Sequence, residues 1–336
     1  MDILCLGELL VDMFPAEQGR GLTEVSAFHP KPGGAPANVA VAARRLGAEA
    51  AFIGKVGDDA FGHHLIEVLR QEGVETRGMR LDREARTTMA FIAMPDANTA
   101  EFVFYRNPGA DTRLRPDELD ADLLRATRAF HFGSLSLTDE PSRSATYEAL
   151  RIAGEGGALL SYDVNYRPSL WEDPREALAA AQDMLPRVHL LKVNETELML
   201  LNARPAMEPS SQDMLDEFSQ ALLEKGPEVV VVTLGPLGSY FRTRAGGGGV
   251  PPFKVKTVDA VGCGDSFIAA LLTQLVVARD DWRDALTVDH LRRALRYANA
   301  AGALTATKQG VIPALPTAAQ VAEFLRQHEP DDGVVQ

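Results

Sequence analysis

Short apolar runs alternate with amphipathic stretches along this chain, and the spacing of each predicts an element. Ile3 to Leu6 read as a buried strand ended by Gly7. After a polar, glycine-containing passage to Lys31, Pro32-Gly33-Gly34-Ala35-Pro36-Ala37-Asn38 leads into a helix of small residues that stops at Gly47. Ala50 to Gly57 is a second strand, and a helix runs from Asp58 to about Glu72. Strand, helix, strand, helix with short loops predicts a parallel sheet with helices on its faces.

The pattern then breaks. Thr87 to Met94 and Glu101 to Arg106 flank Pro95-Asp96-Ala97-Asn98-Thr99, which predicts a β-hairpin with no helix between its strands. Glu101, Val103 and Tyr105 share one face; Phe102, Phe104 and Arg106 share the other. Such a hairpin is either decoration or a lid. Arg106, at its end, favours a lid that reaches a ligand. Beyond it the alternation resumes, with strands at Arg128–Ser134, Ala158–Asp163, Val188–Val193 and Glu228–Thr233. Gly246 to Gly249 read as a flexible turn, and the last helix runs roughly from Thr317 to His328. No internal repeat and no long linker divides the chain. The expectation is one α/β domain over 1–330, with a lid from about 10–31 and 86–108 and a disordered tail at 331–336.

Composition narrows the function without naming it. The chain has 336 residues, 46% hydrophobic and 24% charged, with a formal charge of −13. That balance disfavours nucleic acid and anionic membranes as partners, since both call for a basic footprint. The only cysteines, Cys5 and Cys263, lie far apart, which argues against a disulfide scaffold and suits a reducing cytoplasm. Met1 to Gly7 carry no basic, signal-like start, and no run reaches the length of a membrane span.

The stretch with most chemistry is Asp259-Ala260-Val261-Gly262-Cys263-Gly264-Asp265, running into an apolar helical pattern. Glycines let a backbone approach a ligand, and the first N–H groups of a helix hold anions. Asp265 is then either a carboxylate that stabilises a helix start or a general base beside an anion cradle. Gly33-Gly34 with Asn38 offers an amide to hydroxyl groups. Asp163 and Arg167 follow a strand's C-terminal end, where open α/β sheets bind ligands. Asn194 with Glu197 forms a capping box, and the acid could also hold Mg2+ through water. The Gly235 to Gly238 turn could approach a nucleotide phosphate. Asn299, among alanines, meets either a flat ligand or a tightly packed helix. His131 sits inside its strand and reads as a packed core histidine.

Taken in order, Gly33-Gly34-Ala35-Pro36-Ala37-Asn38, Asp163-Val164-Asn165-Tyr166-Arg167, Asn194-Glu195-Thr196-Glu197, Thr233-Leu234-Gly235-Pro236-Leu237-Gly238 and Asp259 to Asp265 resemble the ribokinase-like (PfkB) sugar kinase family. The resemblance runs from about Ile3 to Leu325. Phe52 to Gly57, Phe104 to Pro108 and Gly310 to Thr317 look closest to the fructokinases of that family. It implies a ribokinase-like fold and ATP-dependent phosphorylation of a sugar hydroxymethyl group. By the same resemblance Asp265 is the base, and the N–H groups of Gly262, Cys263 and Gly264 form the anion hole. Asp12, Gly33, Gly34, Asn38, Arg106, Asp163 and Arg167 would hold the sugar and the transferred phosphate. Lys192, Asn194, Thr233, Gly235, Gly238, Gly262, Gly264 and Asn299 fall where members hold ATP, and Glu197 where they organise Mg2+. Asp259, Val261, Thr305, Lys308 and Gly310 match a site for a monovalent cation such as K+. A homodimer through the lid follows from its open strand edges.

The sequence departs from the family's usual loop at Ala260 and Cys263. A thiol at a helix N-terminus invites a lowered pKa and oxidation. Two other functions compete. A 2-keto-3-deoxygluconate kinase would use Arg106 and Arg167 on the substrate carboxylate. A non-catalytic sugar or nucleotide sensor on the same fold would be expected to lack Asp265, which is present.

Overall fold

The computed structural model describes residues 1–17, 19–93, 95, 101–204, 211–277 and 279–328. The centre of the proposed hairpin turn, 96–99, and the tail 331–336 lie outside the described residues.

The strands are β1 (Ile3–Leu6), β2 (Leu10–Pro15), β3 (Phe28–Gly33), β4 (Ala50–Gly57), β5 (Glu75–Asp82), β6 (Met89–Ala93), β7 (Glu101–Tyr105), β8 (Ala129–Gly133), β9 (Leu159–Asp163), β10 (Leu190–Asn194), β11 (Val229–Thr233), β12 (Ser239–Thr243) and β13 (Gly246–Val250). The helices are α1 (Ala35–Arg45), α2 (Ala60–Gln71), α3 (Ala121–Arg125), α4 (Ser142–Glu155), α5 (Pro174–Met184), α6 (Glu195–Leu201), α7 (Gln212–Leu223), α8 (Cys263–Val276), α9 (Val288–Ala306) and α10 (Ala318–Gln327). Nine strands form one sheet in the order β13-β12-β11-β10-β9-β8-β1-β4-β5, parallel from β11 to β5 and antiparallel at β12 and β13.

The central parallel strands are apolar at nearly every position because both faces of the sheet are covered. Ile3 and Cys5 join Val229 and Val231 in the core under α1, α2, α8 and α9. Leu4 and Leu6 join Val230 and Val232 in the opposite core under α4, α5 and α7. The small side chains Ala37, Ala40, Ala42 and Ala43 let α1 lie close to the sheet.

One sequence expectation needs correction. The glycines from 246 to 249 are not a turn; they build edge strand β13, paired with β12 from Ser239↔Val250 to Thr243↔Gly246. A ladder needs only backbone groups, and a Cβ on Gly247 would lie 2.2 Å from the Phe241 carbonyl oxygen. In the polar passage that the lid was expected to draw on, about 10–31, β2 and β3 form.

Those two strands join the hairpin in a second sheet, β3-β2-β6-β7. Its inner face, with Phe14 and Ile92, packs on Val311 and the partly buried Val261 of the glycine loop. Burial alternates along β7 as the hairpin pattern requires, leaving Val103 46% and Tyr105 67% exposed on the outer face. No helix among the described residues is long and apolar enough to cross a membrane.

Candidate active site

A cavity of about 350 Å3 opens at the C-terminal edge of the parallel strands, beneath the small sheet. In open α/β sheets the C-terminal strand ends are where the connections part and leave room for a ligand. Glu8 and Asp12 enter from the end of β1 and from β2, Gly34 and Asn38 from the start of α1, and Asp163 and Lys192 from β9 and β10. Arg167, Gly262, Gly264 and Asp265 complete the polar lining, and Phe102 and Phe104 close it from the small sheet.

Asp265 stands in the first turn of α8, whose cap Gly262 holds φ at +82°. A Cβ at Gly262 would lie 2.5 Å from Val311 Cγ1, so this position requires glycine twice over. Asn38 Nδ2 donates to Asp265 Oδ2 at 2.8 Å. Burial pushes the Asp265 carboxyl up to about 6; the Asn38 bond opposes it, Asp163 adds to it, and Lys192 and Arg167 oppose it. Of the N–H groups of Gly262, Cys263 and Gly264 expected to form the anion hole, that of Cys263 is engaged within the loop. Cys263 N–H turns back to the Ala260 carbonyl at 3.3 Å, and Ser266 N–H is taken by Gly262 O. The N–H groups of Gly264 and Asp265, in the first turn of α8, are left free to meet an anion.

Cys263 is not an activated thiol. Burial, followed by the charges of Asp259 and Asp265, pushes it up to about 12. Burial and two carboxylates act against the lowering expected from a helix N-terminus.

Asp12 reaches the cavity from β2 and packs so tightly on Gly33 that a Cβ there would fall 1.9 Å from Asp12 Oδ2. Burial raises its carboxyl to about 7, aided by Asp265 and opposed by Arg167. Gly34, at φ +109°, leaves 2.3 Å between a hypothetical Cβ and the Glu8 carbonyl oxygen. Lys192 Nζ binds both carboxylate oxygens of Asp163, at 3.0 and 2.9 Å. Burial pulls the Lys192 ammonium down, but the charges of Asp163 and Glu197 more than restore it. It also touches Gly264, where a Cβ would lie 3.3 Å from Nζ. The Arg167 guanidinium lies 5.7 Å from the Phe102 ring centre, joining the body to the small sheet.

Asn194 and Glu197 form the capping box the spacing implied. Glu197 N–H donates to Asn194 Oδ1 and Asn194 N–H to Glu197 Oε2, both at 2.8 Å. Glu197 Oε1 accepts from Tyr166 N–H at 2.8 Å. With both oxygens so engaged, direct metal ligation does not fit Glu197, whereas contact through a water does. Among the described residues no group of three or more His, Cys, Asp or Glu side chains could hold a metal ion. An Mg2+ here would draw most of its ligands from phosphate oxygens and water.

Several expected residues lie elsewhere. Arg106 does not line the cavity. Its side chain is 3% exposed and bonds Asp111 at 2.8 Å, Thr138 at 2.7 Å and the Leu135 carbonyl at 2.9 Å. A buried guanidinium is held by partners on several elements, and here they come from the body beside the small sheet. Asn299 Nδ2 donates to the Val250 and Pro251 carbonyls, tying α9 to the end of β13. Thr233 ends β11 beside Asn194, Gly235 and Gly238 follow it, and all three lie outside the cavity lining. Asp259 staples two loops, Oδ1 accepting from Val261 N–H and Oδ2 from Gly310 N–H, each at 3.0 Å. Thr305 is buried at the end of α9, and the exposed Lys308 side chain faces the groove along α10. His131 is buried, 3.0 Å from Ser161 Oγ, with burial pushing it down to about 4. Glu8 also lines the cavity; in the sequence it stands out as one of an acid pair with Asp12 around Leu9-Leu10-Val11, with no ligand role assigned to it.

The profile of the pfkB family carbohydrate kinase matches residues 1–318. This chain belongs to that family. Relatives agree with the profile. A probable fructokinase-2 of Arabidopsis thaliana is 44% identical over 324 residues, covering 96% of this chain and 95% of the relative. The crystal structure of a Xylella fastidiosa fructokinase with bound ATP superposes with a TM-score of 0.86 at 32% identity, covering 97% of this chain and 98% of that one. A double-mutant fructokinase of Vibrio cholerae O395 with fructose, ADP and potassium ion gives 0.83 at 32% identity, covering 97% and 98%. The high scores over nearly full length mean that these pfkB relatives share the large, mostly parallel sheet flanked by helices.

Proposed function

We propose that this chain is an ATP-dependent fructokinase, converting ATP and D-fructose to ADP and D-fructose 6-phosphate. The observation that carries it is the Asp265 carboxylate, fixed by Asn38 at the N-terminus of α8 and open to a cavity lined with hydroxyl-binding groups. Asp265 accepts the proton of the sugar C6 hydroxyl as its oxygen attacks the terminal phosphorus, and the bond to the ADP oxygen breaks in line. The N–H groups of Gly264 and Asp265, with Lys192, face the charge on the transferred oxygens. Bound Mg2+ would neutralise phosphate charge, with Glu197 holding it through water. A K+ beside the Asp259-stapled loops would support the same end of α8. The relatives named for ATP, fructose and potassium favour this set of ligands.

The charge of the cavity favours a neutral sugar over a keto-acid. Four acids line it, Glu8, Asp12, Asp163 and Asp265, against Lys192 and Arg167. Lys192 is committed to Asp163 and Arg106 to Asp111, which leaves Arg167 alone for a substrate carboxylate. A coupled ADP-release assay across fructose, 2-keto-3-deoxygluconate, ribose and adenosine tests the reading. Preference for fructose is expected; preference for the keto-acid overturns the substrate assignment, and no turnover at all favours a sensor. The small sheet serves as lid and as dimer contact in this reading. Phe28 meets Phe91 edge-on and Phe91 meets Tyr105 at a tilt on its outer face, with ring centres 5.1 and 5.2 Å apart. Sedimentation of Tyr105→Glu against the parent would reveal a dimer lost through that face.

A further inference from the structure

Glu8 is a buried acid that the phosphoryl-transfer scheme leaves unused. Its residue exposure is 3%, and it lines the same cavity as Asp12, Asn38 and Asp265. Oε1 accepts the Ala35 N–H at 2.8 Å, one of the free donors at the start of α1. Oε2 is buried with no partner. Capping α1 accounts for one oxygen and not the other. Capping needs one oxygen only, and it leaves the second carboxylate oxygen unsatisfied in a low-dielectric site. Burial pushes the Glu8 carboxyl up to about 7; the backbone N–H groups of Glu8 and Ala35 oppose it, Asp111 adds to it, and Arg106 opposes it.

We propose that Glu8 Oε2 is a specificity contact for the sugar, taking a hydrogen bond from one hydroxyl other than the one phosphorylated. The inference rests on the sugar kinase reading above. Ala35, which fixes Glu8, and Asn38, which fixes Asp265, are one helical turn apart on α1, about 4.5 Å along its axis. One rigid turn therefore spaces the base from the second contact. A site built around a buried acceptor rejects analogues lacking the matching hydroxyl, because the acceptor is then left unpaired. The Gly34 backbone supports this placement, since any side chain there would collide with the Glu8 carbonyl.

The test is a panel of monodeoxyfructoses, each lacking one hydroxyl, assayed on wild type, Glu8→Gln and Glu8→Ala. Wild type is expected to penalise one analogue in KM by about 10- to 100-fold, the cost of unpairing a charged acceptor. In Glu8→Ala that one penalty collapses while penalties at other positions persist, and KM for ATP does not follow it. Glu8→Gln, which keeps the Ala35 acceptor, shows an intermediate penalty at the same position. Should Glu8→Ala fail to fold, the position-selective shift in Glu8→Gln carries the test. Penalties unchanged at every position, or reduced equally at all of them, overturn the inference and leave Glu8 a helix cap. Failure of wild type to phosphorylate fructose would instead overturn the underlying reading.

Discussion

Replacing Asp265 with asparagine separates what this residue does for catalysis from what it costs the fold. The side chain keeps its shape, and the asparagine carbonyl can still accept from Asn38 Nδ2, now 2.8 Å from Oδ2. Loss of a positioned general base removes about 10^2- to 10^4-fold from kcat, or about 3 to 5 kcal/mol of barrier. Stability moves the other way. The carboxyl is raised from 3.8 to about 6 in the folded chain. Because the folded-state value is the higher one, folding binds protons between about pH 3.8 and 6. Stability is therefore lost as pH rises through that window, and the penalty is full above it. Two pKa units correspond to about 3 kcal/mol. Asp265 opens onto the hydrated cavity, so about 1–2 kcal/mol is the gain expected for Asp265→Asn at pH 7.5. Urea denaturation of both proteins at pH 4 and pH 7.5 reads this directly, with the curves converging at the lower pH. The steady-state assay adds a kcat/KM limb that rises with pH through about 6 in wild type and is missing in the variant. Near-normal turnover in Asp265→Asn would refute the base, and equal stabilities at pH 7.5 would refute the buried charge.

Other outcomes follow from the same geometry. Lys192→Met leaves Asp163 buried and unpaired, so it should cost about 3–5 kcal/mol in chemical denaturation, and adding Asp163→Asn should restore much of that. Glu197→Gln can accept only one of the N–H groups of Asn194 and Tyr166, costing about 1–3 kcal/mol in thermal or urea unfolding and raising the Mg2+ needed for half-maximal rate. Gly262→Ala forces a side chain into φ +82° against Val311, with about 1–3 kcal/mol of strain, and should depress kcat more than KM for the sugar. Normal kcat in that variant would show that the loop geometry is not needed for transfer.

Much of this molecule can be read in one dimension. Val229 to Val232 are apolar without alternation because a parallel strand is buried on both faces, and that composition is local information. The Asn194–Glu197 box is equally local, since it is decided by neighbours within one turn of helix. Glycines 246 to 249 show the limit: a strand without side chains has no hydrophobic pattern, and only the edge of β12 makes it one. The cavity itself is wholly tertiary. The sequence could nominate Asn38 and Asp265 separately, but their hydrogen bond spans 227 positions. Arg106 was aimed at the ligand by its place at a strand end, and Asp111 and Thr138 took it instead. Cys263 looked activated beside a helix N-terminus until burial and Asp259 reversed the sign. Residue type and spacing thus determined the fold and the family, because they act through short-range backbone geometry and burial. Which side chains face the substrate was decided only in three dimensions, where charges from distant segments meet in a low-dielectric space and compete for the same partners.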